Sequence, residues 1–163
     1  MNQVGAAAAV STGKSAGSAK PTARERLVGT WTLVSLTVGE GTNATMPYGA
    51  SPRGMMMLDA QGHFMITVLR SDLPRFAARG RMAGTPDENK AIVQGTIAYF
   101  GTYTIDEATL VMTVKIEANS FPNFMGQTQT RLISFNGDDE VTYINPTPSD
   151  SGGAAKVTYR RAR

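Results

Sequence analysis

The sequence predicts an all-β fold: an eight-stranded antiparallel up-and-down barrel with one inserted helix. Three observations carry this expectation. From Leu27 onward, runs rich in Val, Ile, Thr, Leu, Met and aromatic residues recur, each bounded by Gly, Pro, Asn or Asp. Most neighbouring runs are joined by connections short enough for hairpins. One segment alone, opening at Thr85-Pro86-Asp87-Glu88, carries helical punctuation instead.

In chain order, strands are expected at 29–38, 53–58, 63–70, 100–105, 110–118, 127–135, 140–145 and 155–161. Asp59-Ala60-Gln61-Gly62, Asp106-Glu107-Ala108 and Asn136-Gly137-Asp138-Asp139 supply the turns, because short Asx side chains bond nearby backbone and Gly accepts positive φ. Between the third and fourth strands, Thr85 is a capping residue and Pro86 takes the first helical position. Glu88 completes a capping box. Ile92, Val93 and Ile97 recur at helical spacing, so the helix is expected over 86–98, with Gly95 and Thr96 weakening its end. Eight sequential antiparallel strands close most simply into a barrel, since closure removes both exposed edges. At eight strands the interior holds either packed side chains or one small ligand. The helix would then lie over one mouth.

Composition narrows the chemistry. A chain of 163 residues with 41% hydrophobic content makes one soluble domain, and no run approaches the ~20 apolar residues of a membrane span. The absence of cysteine removes disulfides, thiolate metal sites and cysteine nucleophiles, and a single histidine, His63, excludes a multi-histidine metal centre. No metal and no cofactor are therefore expected. The formal charge of +3 belongs to residues 1–26, where Lys14, Lys20, Arg24 and Arg26 face only Glu25; the remainder is balanced at 12 basic and 12 acidic side chains. A neutral folded part argues against nucleic acid as a partner. Residues 1–26 are Ala-, Gly- and Ser-rich without periodicity and are expected to be a disordered tail before a domain at 27–163. Ala6–Val10 is too short for the apolar core of a secretory leader, so a cytoplasmic location and no membrane insertion are expected.

Gly29-Thr30-Trp31 at the head of the first strand and Tyr159-Arg160-Arg161 at the end of the last resemble the Gly-x-Trp and closing-arginine signature of lipocalins. In that superfamily the late arginine lies across the early tryptophan and seals the barrel. The resemblance implies that pair here as Trp31 and Arg160, held by cation–π packing. The series GTWTLVS (29–35), PYGASPRG (47–54), LRSDLPRFA (69–77), TPDEN (85–89), AYFGTYTID (98–106) and SFPNFMGQTQTR (120–131) is similar to the bacterial and fungal lipocalin-like domain proteins, and spans nearly all of 27–161. The resemblance implies a calycin-type barrel.

Strand alternation sorts the candidate site residues. Leu110, Met112, Val114 and Ile116 share the face that must be interior. Met55 and Met57, with Met56, Met65 and Met112, are candidates to line an adaptable apolar cavity, since unbranched thioethers reshape around irregular ligands; filling the core is the plainer role. Arg70 and Arg75, beside Phe76 where the third strand leaves the barrel, would hold an anionic group at the mouth or else pair with Asp72, Asp87 or Glu88. Arg79 and Arg81 read as surface residues. Gln127, Gln129 and Arg131 share a face that is costly to bury unless a ligand, a water or another side chain satisfies it; alternation leaves open whether this face or that of Thr128, Thr130 and Leu132 is interior, and the resemblance, whose motif contains Gln129 and Arg131, favours the former. Tyr99, Tyr103, Phe121 and Asn123 complete the ligand-binding candidates. His63, after a hairpin turn, is expected on the surface.

Two functions follow. The first is binding of one small hydrophobic or amphipathic molecule in the barrel cavity. The alternative is a cofactor-independent isomerase or cyclase that encloses a polyketide- or terpenoid-like substrate, using proximity and exclusion of water. A filled interior would instead mean a structural or partner-binding domain. The oligomeric state is left open, a homodimer being one option.

Overall fold

The computed structural model of the chain describes residues 20–149 and 152–163. Its elements, in order, are α1 (Ala23–Leu27), β1 (Gly29–Val38), β2 (Arg53–Leu58), β3 (His63–Leu69), α2 (Pro86–Gly95), β4 (Thr96–Ile105), β5 (Val111–Asn119), β6 (Thr128–Asn136), β7 (Glu140–Asn145) and β8 (Ala155–Arg161). Every strand pairs antiparallel with its sequence neighbours, and β8 returns to β1, closing the barrel. Alternation places Met56, Ile66, Val68, Met112, Val114, Ile116, Val141 and Val157 inside, all nearly inaccessible. Where β4 meets β5 the ladder bulges between Phe100 and Gly101. A Cβ on Gly101 would stand 2.0 Å from the Lys115 carbonyl oxygen, so only glycine fits there.

One end of the barrel is shut. Trp31 and Arg161 face each other across β1 and β8, which puts both side chains on the same face. The Arg161 guanidinium lies 4.1 Å from the Trp31 ring centroid. It also donates to the carbonyls of Arg26 (2.6 Å), Val28 (3.2 Å) and Asp138 (3.3 Å). Trp31 itself donates from Nε1 to the Leu27 carbonyl at 2.8 Å and is fully buried. The closing arginine is thus Arg161 and not Arg160. Arg160 sits one position earlier in a period-2 strand, points outward and meets Glu140 at 3.3 Å.

The same end corrects the tail boundary. Residues 23–26, expected to be disordered, lie in α1, because Thr22 and Glu25 form a reciprocal capping box and Leu27 buries completely beneath the barrel. The Glu107 carboxylate, from the β4–β5 turn, accepts from the amides of Ala23 (2.6 Å) and Arg24 (3.1 Å). Arg26 stacks over Phe135 at 3.9 Å. The expectation for residues 1–19 lies outside the described residues.

The inserted helix lies between β3 and β4 as expected, with its Thr85–Glu88 capping box formed, but ends at Gly95 rather than at 98. Leu73 and Arg70 pack where a Cβ on Gly95 would project, and the Gly95 carbonyl accepts from the Arg70 amide at 2.8 Å. β-branched Thr96 and Ile97 then enter the β3–β4 ladder, so β4 starts four residues earlier than expected.

Two predictions follow from this frame. Arg161→Ala is expected to destabilise the fold by about 2 kcal/mol, as it removes the cation over Trp31 and three charge-assisted hydrogen bonds. Arg160→Ala should stay within about 0.5 kcal/mol, as for an exposed ion pair; urea unfolding of the two variants separates them.

The second concerns acid. The His63 amide holds Asp59 below its ordinary range, and Arg70 does so for Asp72. The amides of Thr85 and Ala77 act likewise on Glu88, those of Thr109 and Ala108 on Asp106, and the Asn136 side chain and Arg160 on Glu140. A carboxyl whose folded pKa is depressed contributes stability above its unfolded pKa and loses it as pH falls through the folded one. The urea midpoint should therefore hold steady above about pH 5 and fall progressively below about pH 4.

Candidate functional site at the open mouth

With the base closed by Trp31, Arg161 and α1, the opposite end is the axial opening among the described residues. The β1–β2, β3–β4, β5–β6 and β7–β8 connections all emerge there. The cavity beneath is lined by Leu36, Val68, Ile97, Ile116, Phe124 and Val157, with Tyr48 over it. Its inner space is about 40 Å³ for the centre of a water-sized sphere, room for a few waters. Tyr48, Ile97 and Ser149 also line a wider vestibule of about 430 Å³, walled by Arg70, Val93, Gln94 and Phe121. The mouth is therefore a funnel, broad outside and narrow within.

One wall of the inner cavity is polar. Gln129 and Arg131 of β6 point inward, the phase that strand alternation alone left open, whereas Gln127, expected on the same face, stands before the strand, exposed at the rim, and donates to the Asn123 carbonyl at 2.8 Å. Arg131 is 1% exposed. Its Nη1 donates to Asn145 Oδ1 (2.9 Å) and the Thr130 carbonyl (2.8 Å), and its Nη2 to Gln129 Oε1 (2.9 Å). Tyr143 presents its ring 5.7 Å from the guanidinium. Among the described residues no carboxylate lies within 4.0 Å of Arg131, and its Nε has no hydrogen-bond partner. Asn119 is similar: Oδ1 accepts from the Phe121 amide at 2.8 Å, while the buried Nδ2 has no partner among the described residues. Burial pushes the Tyr143 phenol well above its ordinary range, and that of Tyr159 too, so both remain neutral beside the cation.

The remaining candidates divide cleanly. Tyr99 lines the cavity, edge-on to Phe64 at 5.8 Å. Arg70 reaches the vestibule but is held by Asp72 through paired bonds of 2.9 and 2.8 Å. Phe121 walls the vestibule and stacks edge-on against Phe124. Arg75 and Asn123 are exposed, and Phe76 packs beside Gly84, away from the cavity. Tyr103 is not at the mouth: it belongs to the closed end, where its hydroxyl donates to the Asp59 carbonyl at 2.8 Å. Met55, Met57 and Met65 line no cavity inside the barrel. They stand on the outer face at 41%, 47% and 49% exposure, because Met56 occupies the inward phase of β2. Met56 and Met112 are inside but pack the core. His63 is exposed, with Nδ1 2.9 Å from Asp59.

Sequence reasoning missed Asn145 and Asn119, for different reasons. Asn145 follows Val141 and Tyr143 in strict alternation and could have been found from β7 alone. Asn119 could not: counting by twos from Met112 puts Ala118 inside, and the bulge opposite Gly101 shifts the phase by one residue.

A closed eight-stranded barrel with one sealed end and a polar-walled mouth opposite it defines a class of small cup-shaped barrels. Within it, the chain belongs to the lipocalin-like domain family, whose model matches residues 28–162. A 4'-hydroxy-3'-methoxypropiophenone carrier protein of Aspergillus oryzae is 27% identical over 86 residues, a stretch covering 48% of this chain and 78% of that protein. A redesigned β barrel of known structure covers 90% of this chain and 100% of its own, at 16% identity and a TM-score of 0.45. No helix among the described residues is long and apolar enough to cross a membrane.

The two sets of methionines predict opposite outcomes. Met56→Ala should destabilise by about 2–5 kcal/mol through a core cavity. Met55→Thr and Met57→Thr should each stay within about 0.5 kcal/mol, as for surface changes; thermal unfolding of the three variants decides it.

Proposed function

We propose that the protein binds one small, largely apolar molecule in the funnel at its mouth and carries it without chemical change. The observation that carries this reading is the funnel itself: a vestibule of about 430 Å³, within the usual range for ligand sites, above an apolar cavity with polar groups on one wall. The lipocalin-like fold and the relative described as a carrier of an aryl ketone support it. Because the inner cavity is narrow, the molecule would rest mainly in the vestibule and send only its polar end downward.

Carriage is favoured over isomerisation or cyclisation by the lining. Among its described residues there is no carboxylate, imidazole or amine. Burial takes the Tyr143 phenol further from neutrality, so it is not poised for proton transfer at ordinary pH.

Titration calorimetry with 4'-hydroxy-3'-methoxypropiophenone tests the reading. One molecule per chain is expected to bind. Ile97→Trp, which fills the neck shared by cavity and vestibule, should weaken binding at least tenfold while leaving the melting temperature within a few degrees. Binding unaffected by Ile97→Trp would place the ligand elsewhere and remove the proposal.

A further inference from the structure

Arg131 poses an electrostatic problem that the fold alone does not solve. A guanidinium stays charged at any ordinary pH, and this one is 1% exposed with no acid beside it among the described residues. Its three hydrogen bonds go to neutral oxygens, of Gln129, Asn145 and Thr130. The phenol that faces it, Tyr143, is neutral. An uncompensated buried charge costs several kcal/mol, and such a site is relieved by a counter-charge. Two donors that line the same cavity, Arg131 Nε–H and Asn119 Nδ2–H, have nothing to donate to among the described residues. Both are more than nine-tenths buried. Free donors with no free acceptor of matching strength select an oxygen that only accepts.

We infer that the cavity is an oxyanion pocket: the molecule it takes carries one anionic oxygen group (a carboxylate, an ionised phenol or an enolate) on an otherwise apolar skeleton, bound head-first against Arg131 and Asn119. This rests on the proposed function and specifies which end of the molecule enters. The scale of the funnel agrees with it. The inner space of about 40 Å³ suits a head group of a few atoms, and the vestibule of about 430 Å³ takes the apolar remainder. The neutral oxygens on the two Nη atoms fix the guanidinium plane and leave the Nε–H and the second Nη2–H still to be matched.

Three probes of one shape test this: 4-propylbenzoate, 4-propylbenzamide and propylbenzene, titrated at neutral pH by calorimetry. The wild-type protein is expected to bind the benzoate at least tenfold more tightly than the benzamide. Arg131→Met should abolish that preference and Asn119→Leu should reduce it several-fold; should Arg131→Met fail to fold, Asn119→Leu carries the test. Asp150, outside the described residues, is the acid next to Ser149 in the lining, and Asp150→Asn should leave the preference in place. Equal binding of benzoate and benzamide by the wild type overturns the inference, as does a preference that survives Arg131→Met or one that emerges only in Asp150→Asn. If the neutral probes bind, and Ile97→Trp blocks them, the carrier reading stands without the oxyanion pocket. If none of the three binds while 4'-hydroxy-3'-methoxypropiophenone does, the oxyanion pocket falls and the carrier reading stands; if that ketone fails too, both fall.

Discussion

Between β1 and β8, seven residue pairs from Trp31–Arg161 to Val38–Ala155 join the ends of the sheet, and that seam makes the molecule a barrel rather than a ribbon. Once the sheet is closed, alternation has only two destinations, a shared interior and the outer surface. The seam also brings Trp31 and Arg161 together at one end, where the arginine stitches together the backbone of Arg26, Val28 and Asp138. Among the described residues, a sealed base leaves the opposite end as the opening. The placing of the vestibule at the open end, with Val93 and Gln94 of α2 in its wall, follows from that closure.

The interior is uneven in a way that separates stability from function. Toward the base, Leu27, Trp31, Leu58, Phe64 and Val141 pack as a mainly apolar core, with Trp31 Nε1 donating to the Leu27 carbonyl. Toward the mouth the same barrel buries Asn119, Gln129, Arg131 and Asn145, side chains that cost free energy to desolvate. Their mutual hydrogen bonds offset part of that cost but leave Arg131 charged and two donors unmatched. A fold selected for stability alone would have apolar residues there. Concentrating polar groups beside the opening is the arrangement expected of a binding site, where complementarity to a guest replaces complementarity within the protein.

How much could be read from the chain depended on the range of the interaction involved. The capping box of α2 and the hairpin turns depend on residues within a few positions of each other, and both were legible; alternation alone left open which face of β6 is interior, and the register of β6 against β5 and β7 decides that Gln129 and Arg131 point in. The end of α2 was not legible, because Gly95 stops the helix under Leu73 and Arg70, a contact made only after folding. The outward methionines misled for a similar reason. Three consecutive methionines carry no phase of their own, and the register of β2 against β1 and β3 decides that only Met56 points in. Tyr103 was assigned to the wrong end because sequence spacing does not say which strand end is closed.

By itself, the sequence determined the all-β class, the eight strands in order, the helix between the third and fourth, and the neutral charge of the folded part. These rest on two-residue periodicity, turn chemistry and composition, which are local or additive. The tertiary structure decided which arginine covers Trp31, that Asn119 faces inward across a bulge, and that Arg131 is buried without an acid beside it among the described residues. Those outcomes depend on register between strands far apart in the chain, where a shift of one residue exchanges inside for outside.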